Sequence, residues 1–274
     1  MFLSNMDEKR GKIENIIKLC VCSDLRMNSL LALNSGKQSL SGLKTILNSS
    51  STTAIHTLKE LEKNNLVFKD RDRNHALTNI GKIASLKLID FQNASEVITK
   101  YERLWLDHNL SGIPDHLFEK IGYLRKSHLE EINSSEIIKS HTSLNRFIKS
   151  AKSVKGVFPI FSKDHPAGLK EIIEKNINTQ LIFTDVVLKK TIDAMGKKTF
   201  NKLISNYDFD LFVTDEKLKL AFLVTNDFFL LGLFSNNNLY DSSQDLNSTD
   251  SKAIQWGNEL FEYYKGKARK YNSD

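Results

Sequence analysis

Along the first third of the chain, apolar residues recur at helical spacing in short blocks set apart by stop and start signals. Glu8 to Cys20 carries Ile13, Ile16, Ile17 and Cys20 at that spacing. Ser23 and Asp24 suit the cap of a second helix, Leu25 to Leu33, which stops at Asn34-Ser35-Gly36. Ser39 suits the N-cap of a third, Leu40 to Leu47, and Asn48-Ser49-Ser50 supplies a turn. The fourth, Ser51 to Lys63, sets Ile55, Leu58 and Leu61 on one stripe expected to face a core. The period then shifts from helix to strand. Leu66 to Asp70 reads as a strand, Arg71-Asp72-Arg73-Asn74 as a turn, and His75 to Thr78 as the return strand. Helix, turn, helix and a basic hairpin predict a winged helix-turn-helix: its second helix fits the major groove of DNA while the hairpin meets the backbone.

Beyond the hairpin a long helical pattern opens at Asn79 and runs to about His108, through Ile80, Ile83, Leu86, Ile89, Ala94, Val97, Ile98, Tyr101, Leu104 and Trp105. Unbroken, it would span roughly 45 Å, a length suited to bridging domains or pairing with a twin. Ser111-Gly112-Ile113-Pro114 ends it. Leu117 to Ile138 reads as helical, and Ser143 to Ser150 as a further turn or two. From Val154 the pattern alternates. Val154 to Phe161 reads as strand, Gly168 to Lys175 as helix, Thr179 to Thr184 as strand, and Val186 to Ala194 and Thr199 to Ser205 as helices. Phe209 to Val213, Leu218 to Val224 and Phe228 to Phe234 read as three successive strands, and Asp250 to Lys270 as an amphipathic helix. The expected fold is α+β. A winged helix occupies 1–85, a linking or dimerisation helix 86–110, and an α/β domain with a mixed sheet 111–274.

Composition changes this picture little, and charge changes it in one respect. At 274 residues, 40% hydrophobic and 26% charged, the chain has room for two ordinary globular cores. Its longest apolar runs fall far short of a membrane span, and Met1 to Arg10 lacks the apolar core of a signal peptide, so a cytoplasmic protein is expected. The positive excess is lopsided: residues 1–85 hold 13 Lys and Arg against 8 Asp and Glu, whereas 86–274 hold 26 against 25. Attraction to phosphates calls for that distribution.

Candidate chemistry follows from these placements. With Ile55, Leu58 and Leu61 turned inward, Ser51, Thr52, Thr53, His56, Thr57 and Lys63 are left for DNA, with Thr53 and His56 placed to read bases. On the hairpin, Lys69, Arg71, Arg73 and His75 are placed to touch phosphates or the minor groove. In the C-terminal domain, Asp185, Asp227, Asp241 and Trp256 lie near strand ends and are candidates to line an effector pocket, with Asp215 and Asn226 beside them. Cys20 and Cys22 are too few for a structural zinc site, and Cys20 reads as a packed thiol. None of the seven histidines has zinc-protease spacing, and Gly-x-Ser-x-Gly and Gly-rich phosphate loops are lacking. No catalysis, cofactor or metal is expected. The alternative to a DNA-binding regulator is a winged helix that contacts protein, with the C-terminal domain binding a partner.

Several runs in the C-terminal half resemble one family. They are Gly112-Ile113-Pro114-Asp115-His116-Leu117, Lys155-Gly156-Val157-Phe158-Pro159-Ile160, the stretch from Asn226 to Phe234, Leu239-Tyr240-Asp241, and the stretch from Ala253 to Phe261. Together they resemble archaeal, mainly methanogen, transcriptional regulators of the methanogenesis regulatory (Fil-type) family, over roughly residues 20–268. The resemblance implies an N-terminal winged helix of the ArsR or MarR type ahead of this domain. It also implies transcriptional control of methanogenesis or one-carbon genes, with the C-terminal domain as sensor or interaction module. The partners expected are double-stranded DNA, a second copy of the chain and an unidentified small-molecule effector. The alternating sheet also looks like half of a phospholipase-D fold, but the His-x-Lys of that catalytic fold is missing: His165 precedes Pro166-Ala167 and His141 precedes Thr142-Ser143.

Overall fold

A computed structural model describes residues 14–131, 151–163, 165–205 and 208–272, and the chain divides into two compact units, Met1–Asn93 and Ala94–Asp274. The start of the first expected helix (through Ile13), the stretch 132–138 and the expected turns of 143–150 lie outside the described residues.

The first unit opens with a helix over residues 14–21 (α1), followed by α2 (Asp24–Asn34), α3 (Leu40–Ile46) and α4 (Ser51–Lys63). Ser23, Ser39 and Ser50 each accept a backbone N–H at the start of α2, α3 and α4, so the three serines set where these helices begin. Strands β1 (Val67–Lys69) and β2 (His75–Leu77) pair antiparallel with Phe68 opposite Ala76. The core joins Leu30 and Leu33 of α2, Leu43 of α3, Leu58 and Leu61 of α4, and Leu66, Val67 and Leu88. Leu19 and Cys20 close it from α1, while Ile16 and Ile17 face outward, so the buried side of α1 is one residue round from the expected stripe. Burial pushes the Cys20 thiol up, as a packed thiol requires. Arg26 ties α2 to both neighbours: Nη1 meets Glu60 Oε2 at 2.9 Å and Nε donates to the Leu19 carbonyl at 3.0 Å.

Helix α5 runs Asn79–Lys100 and α6 Glu102–Asp107, so the long helix is bent at Tyr101, where φ is −119° and ψ 31°. Backbone bonds from Tyr101 to Val97 and from Trp105 to Tyr101 carry the hydrogen bonding across the bend. The bend coincides with two side-chain anchors: the buried Tyr101 hydroxyl donates to the Ser127 carbonyl, and Trp105 Nε1 donates to the Val97 carbonyl at 3.1 Å. Such inserted side-chain bonds are a recognised cause of helix bending.

The second unit is built on an eight-stranded mixed sheet of order β10-β6-β5-β4-β7-β8-β9-β3. Its members are β3 (His128–Glu131), β4 (Ser153–Phe158), β5 (Asn178–Thr184), β6 (Phe209–Thr214), β7 (Leu220–Thr225), β8 (Phe229–Leu233), β9 (Gln244–Ser248) and β10 (Arg269–Lys270). β4, β5 and β6 are parallel to one another, and the remaining pairs are antiparallel. The central strands are apolar along most of their length because both faces are covered. On one face Val157, Phe222, Leu231 and Leu246 pack with Trp256, Leu260 and Phe261 of α11 (Ser251–Lys265). On the other, Leu181, Phe183, Leu211 and Val213 pack beneath α8 (His165–Glu174), α9 (Asp185–Met195) and α10 (Lys197–Ile204).

Three expectations here are corrected. Residues 117–131 are not one helix but the end of a short α7 (Asp115–Phe118), a 3-10 turn (Ile121–Leu124) and β3. The closing helix stops at Lys265, and Arg269–Lys270 turns back to pair with β6. Strand β9 was not anticipated: in Gln-Asp-Leu-Asn-Ser the one apolar residue, Leu246, is the one that reaches the core. Among the described residues no helix is long and apolar enough to cross a membrane.

Candidate functional site

In the first unit the chemistry lies on the side of α4 away from the core. Ala54, Thr57, Leu58 and Leu61 are buried at i, i+3, i+4 and i+7. Packing against α2 and α3 thus takes the small Ala54 into the stripe and leaves Ile55 exposed, which corrects the expected core assignment of Ile55. Thr57, expected to face DNA, is 6% exposed and belongs to the core side. Ser51, Thr52, Thr53, His56 and Lys63 are exposed, as is Lys59. Thr52, His56, Lys59 and Lys63 are spaced i, i+4, i+7 and i+11, so they share one stripe opposite the core. Thr53 sits to one side, its hydroxyl 2.8 Å from Ser50 Oγ at the cap. Sequence reasoning missed Lys59, although its seven-residue step from Thr52 was available once the buried stripe was in register.

The hairpin presents a second basic group. Asp70 organises its turn: Oδ1 accepts the backbone N–H of Asp72 at 3.0 Å and of Asn74 at 2.9 Å, and Oδ2 pairs with Lys37 Nζ at 2.9 Å. The Lys37 ammonium, above all, holds the Asp70 carboxyl below its usual range. Arg73 takes the left-handed conformation, φ 65°, that closes this turn. Lys69, Arg71 and Arg73 are exposed. His75 is not with them. It is 5% exposed, with Nε2 3.5 Å from Glu62 Oε1, and burial depresses its pKa, so an uncharged ring packed in the unit replaces the expected phosphate contact.

In the second unit the four pocket candidates do not meet in one place. Asp185 is exposed on the first turn of α9, 3.1 Å from Arg269 Nη2, and a hydrogen bond with Asp215 raises its pKa. Asp227 lies in the β7–β8 turn with Oδ1 2.8 Å from Thr225 Oγ1, and Asn226 beside it accepts the Lys152 N–H at 2.8 Å. Asp241 accepts from Ser243 and Gln244 and lies 3.1 Å from His108 Nε2. Burial alone would raise its pKa, but these partners outweigh burial and hold it at about 2. Trp256 is wholly buried: its ring packs edge-on against Phe229 and Nε1 donates to the Leu117 carbonyl at 2.9 Å. Its surroundings make it a core residue that pins α7 to α11, in place of a ligand contact.

The geometry defines a winged-helix unit joined to an α/β unit. The family model described as the N-terminal domain of methanogenesis regulatory protein FilR1 matches residues 14–94, and the one described as its middle domain matches 137–267. This chain belongs to the family of methanogenesis regulatory proteins. It is 27% identical over 268 residues to methanogenesis regulatory protein FilR1 of Methanothrix harundinacea (strain 6Ac), an alignment that covers 96% of this chain. The chain spans 59% of that relative's length. Among solved structures, the archaeal chromatin protein TrmBL2 aligns with a TM-score of 0.43 and 13% identity, over 95% of this chain and 100% of its own. NucT from Helicobacter pylori aligns with a TM-score of 0.39 and 17% identity, over 53% of this chain and 99% of its own. Both scores are too low for either likeness to bear on this chain's fold or function.

Proposed function

We propose that this protein is a sequence-specific DNA-binding transcriptional regulator, acting on genes of methanogenesis or one-carbon metabolism, with the second unit as an effector-sensing or interaction domain. One observation carries the reading: Thr52, His56, Lys59 and Lys63 form an exposed stripe opposite the core of α4, in the same compact unit as the exposed Arg71 and Arg73 of the hairpin. A helix face of short polar and basic side chains suits the major groove, and a basic turn suits the flanking phosphates. Ser51 and Thr52 stand at the helix start, where unsatisfied N–H groups favour a phosphate oxygen. Family membership supports the same reading.

The protein acts as a homodimer on an inverted repeat. Ile80, Ile83, Leu86 and Phe91 of α5 are all exposed, and exposed apolar side chains on a long helix suit pairing with a second copy. In this reading α5 and its continuation serve as the linking and dimerisation helix.

Fluorescence anisotropy of the full chain with duplex DNA from its own upstream region, against a scrambled duplex at two salt concentrations, tests the proposal. Salt-sensitive binding that prefers the native duplex is expected. Absence of binding at low salt overturns the proposal and favours a protein partner for the winged helix.

A further inference from the structure

The face of the sheet beneath α8 carries a cavity of about 280 Å³ that none of the sequence-predicted residues lines. Its floor is low for a reason visible in the register. Gly156 on β4 lies opposite Leu223 on β7, and Ala221 on β7 lies opposite Gly232 on β8, so small residues recur on one face of neighbouring strands. A Cβ at Gly232 would come within 2.3 Å of the Tyr240 hydroxyl and 2.9 Å of Asp245 Oδ1. A Cβ at Gly156 would strike the Phe158 ring at 2.5 Å. The two glycines make room for an aromatic wall and for a carboxylate.

The walls are Phe158, Phe161 and Leu230, with the His165 ring edge-on to Phe158 and Phe161 at centroid distances of 5.1 and 5.9 Å. Asp245 and Tyr240 supply the polar end. Asp245 Oδ1 is buried without a hydrogen-bond partner among the described residues, although the Tyr240 hydroxyl lies close enough to interact with it. An acceptor left unsatisfied in an apolar setting costs stability, so its retention points to a donor supplied from outside the chain. The other charges around it are also negative. Glu130 pairs across from Asp245 on β3, and Asp241 approaches from the preceding loop. His165 is the other titratable ring lining the cavity. Burial first, and then the Glu130 and Asp241 carboxylates, push Asp245 up to about 7. Aromatic faces attract a cation, and a buried carboxylate beside two others lacks one.

We propose that this cavity is the effector site, and that it binds a small organic ammonium whose N–H meets Asp245 Oδ1 while its apolar part lies among Phe158, Phe161 and Leu230. The inference rests on reading the second unit as an effector-sensing domain. Its test is run without DNA, so its failure leaves the DNA-binding reading standing.

The test is calorimetric titration of the full chain with three probes of nearly one shape: benzylammonium, benzyl alcohol and benzoate. Benzylammonium is expected to bind at least about tenfold more tightly than the other two at pH 8. It is expected to weaken about tenfold at pH 6, where Asp245 holds its proton. Asp245→Asn keeps the shape and is expected to abolish both the preference and the pH dependence. Persistence of the pH dependence in that variant would assign it to His165 and overturn the role given to Asp245. Ala221→Leu fills the floor while keeping the Asp245 carboxylate in the chain and is expected to weaken benzylammonium. Equal binding of the three probes, no binding of benzylammonium by about 10 mM, or an unchanged affinity in both variants overturns the proposal.

Discussion

The Leu66 carbonyl oxygen occupies the place where a side chain on residue 81 would begin: a Cβ built on Gly81 would lie 1.8 Å from it. Leu66 ends the loop from α4 to β1, and Gly81 lies in the first turn of α5, so the contact sets how closely helix and hairpin approach. Thr78 holds the same junction, its N–H donating to the Leu66 carbonyl at 3.1 Å while its hydroxyl accepts the Gly81 N–H at 3.0 Å.

Gly81→Ala is therefore expected to destabilise the first unit although alanine favours helices. The overlap is with backbone and cannot be relieved by a rotamer change, so a loss of about 3 kcal/mol or more is expected, against a gain of about 1 kcal/mol from helix propensity. Chemical denaturation of the isolated variant and parent chains checks this. Equal midpoints would mean that helix and hairpin separate at little cost.

On α4, Lys59→Ala is expected to weaken binding to native and scrambled duplexes alike, as loss of a phosphate contact does, and to lower the salt slope by about one unit. His56→Ala is expected to reduce the preference for the native duplex, by about 1–3 kcal/mol if it reads a base edge. Anisotropy at two salt concentrations separates the two effects. Equal loss on both duplexes for His56→Ala would remove it from base reading.

For the hairpin, Arg71→Ala and Arg73→Ala are each expected to lower affinity for any duplex and to reduce the salt slope by about one. His75→Gln is expected to leave the salt slope unchanged, because that ring is buried. A salt slope that stays constant in both arginine variants would place the hairpin away from DNA.

Stability should depend on pH through Asp245. Its folded carboxyl titrates near 7, above the ordinary carboxylate value that the unfolded chain restores. Between those two values the folded protein binds more protons, so its stability falls as pH rises from about 4 to about 7 and then levels. Asp245→Asn removes that loss and is expected to stabilise the protein at pH 8, by on the order of a few kcal/mol, and far less at pH 4. Thermal melts of both proteins at the two pH values test it. A variant no more stable at pH 8 than its parent would show that the carboxylate carries no penalty.

Trp256→Phe removes the indole N–H that satisfies the Leu117 carbonyl and leaves a void in the core of the second unit. A loss of roughly 2–4 kcal/mol is expected, read from denaturation midpoints, with no change in binding of benzylammonium.

The elements of this chain were legible in the sequence wherever local chemistry dictates the backbone. Three serines that cap, an Asp-anchored turn and unbroken apolar strands place α2 to α4, the hairpin and β5 to β8 within a residue or two of where they lie, whereas β4 ends at Phe158, short of the expected Phe161. The polar strands β3, at the sheet edge, and β9 beside it were not legible, because a single apolar residue in each carries no period and β3 pairs with a segment more than a hundred residues away. Tyr101 could not be read as a bend, because its hydroxyl acceptor, the Ser127 carbonyl, lies 26 residues away. The same division runs through the sites. Which residues α4 and the hairpin contain is a matter of sequence, but whether Ala54 or Ile55 faces inward, and that Thr57 and His75 are buried, was decided by the helices packed against them. The cavity around Asp245 is tertiary altogether. Gly156, Ala221, Gly232 and Asp245 are brought together only by strand order and register, and the physical character of a carboxylate comes from the neighbours that burial assigns it.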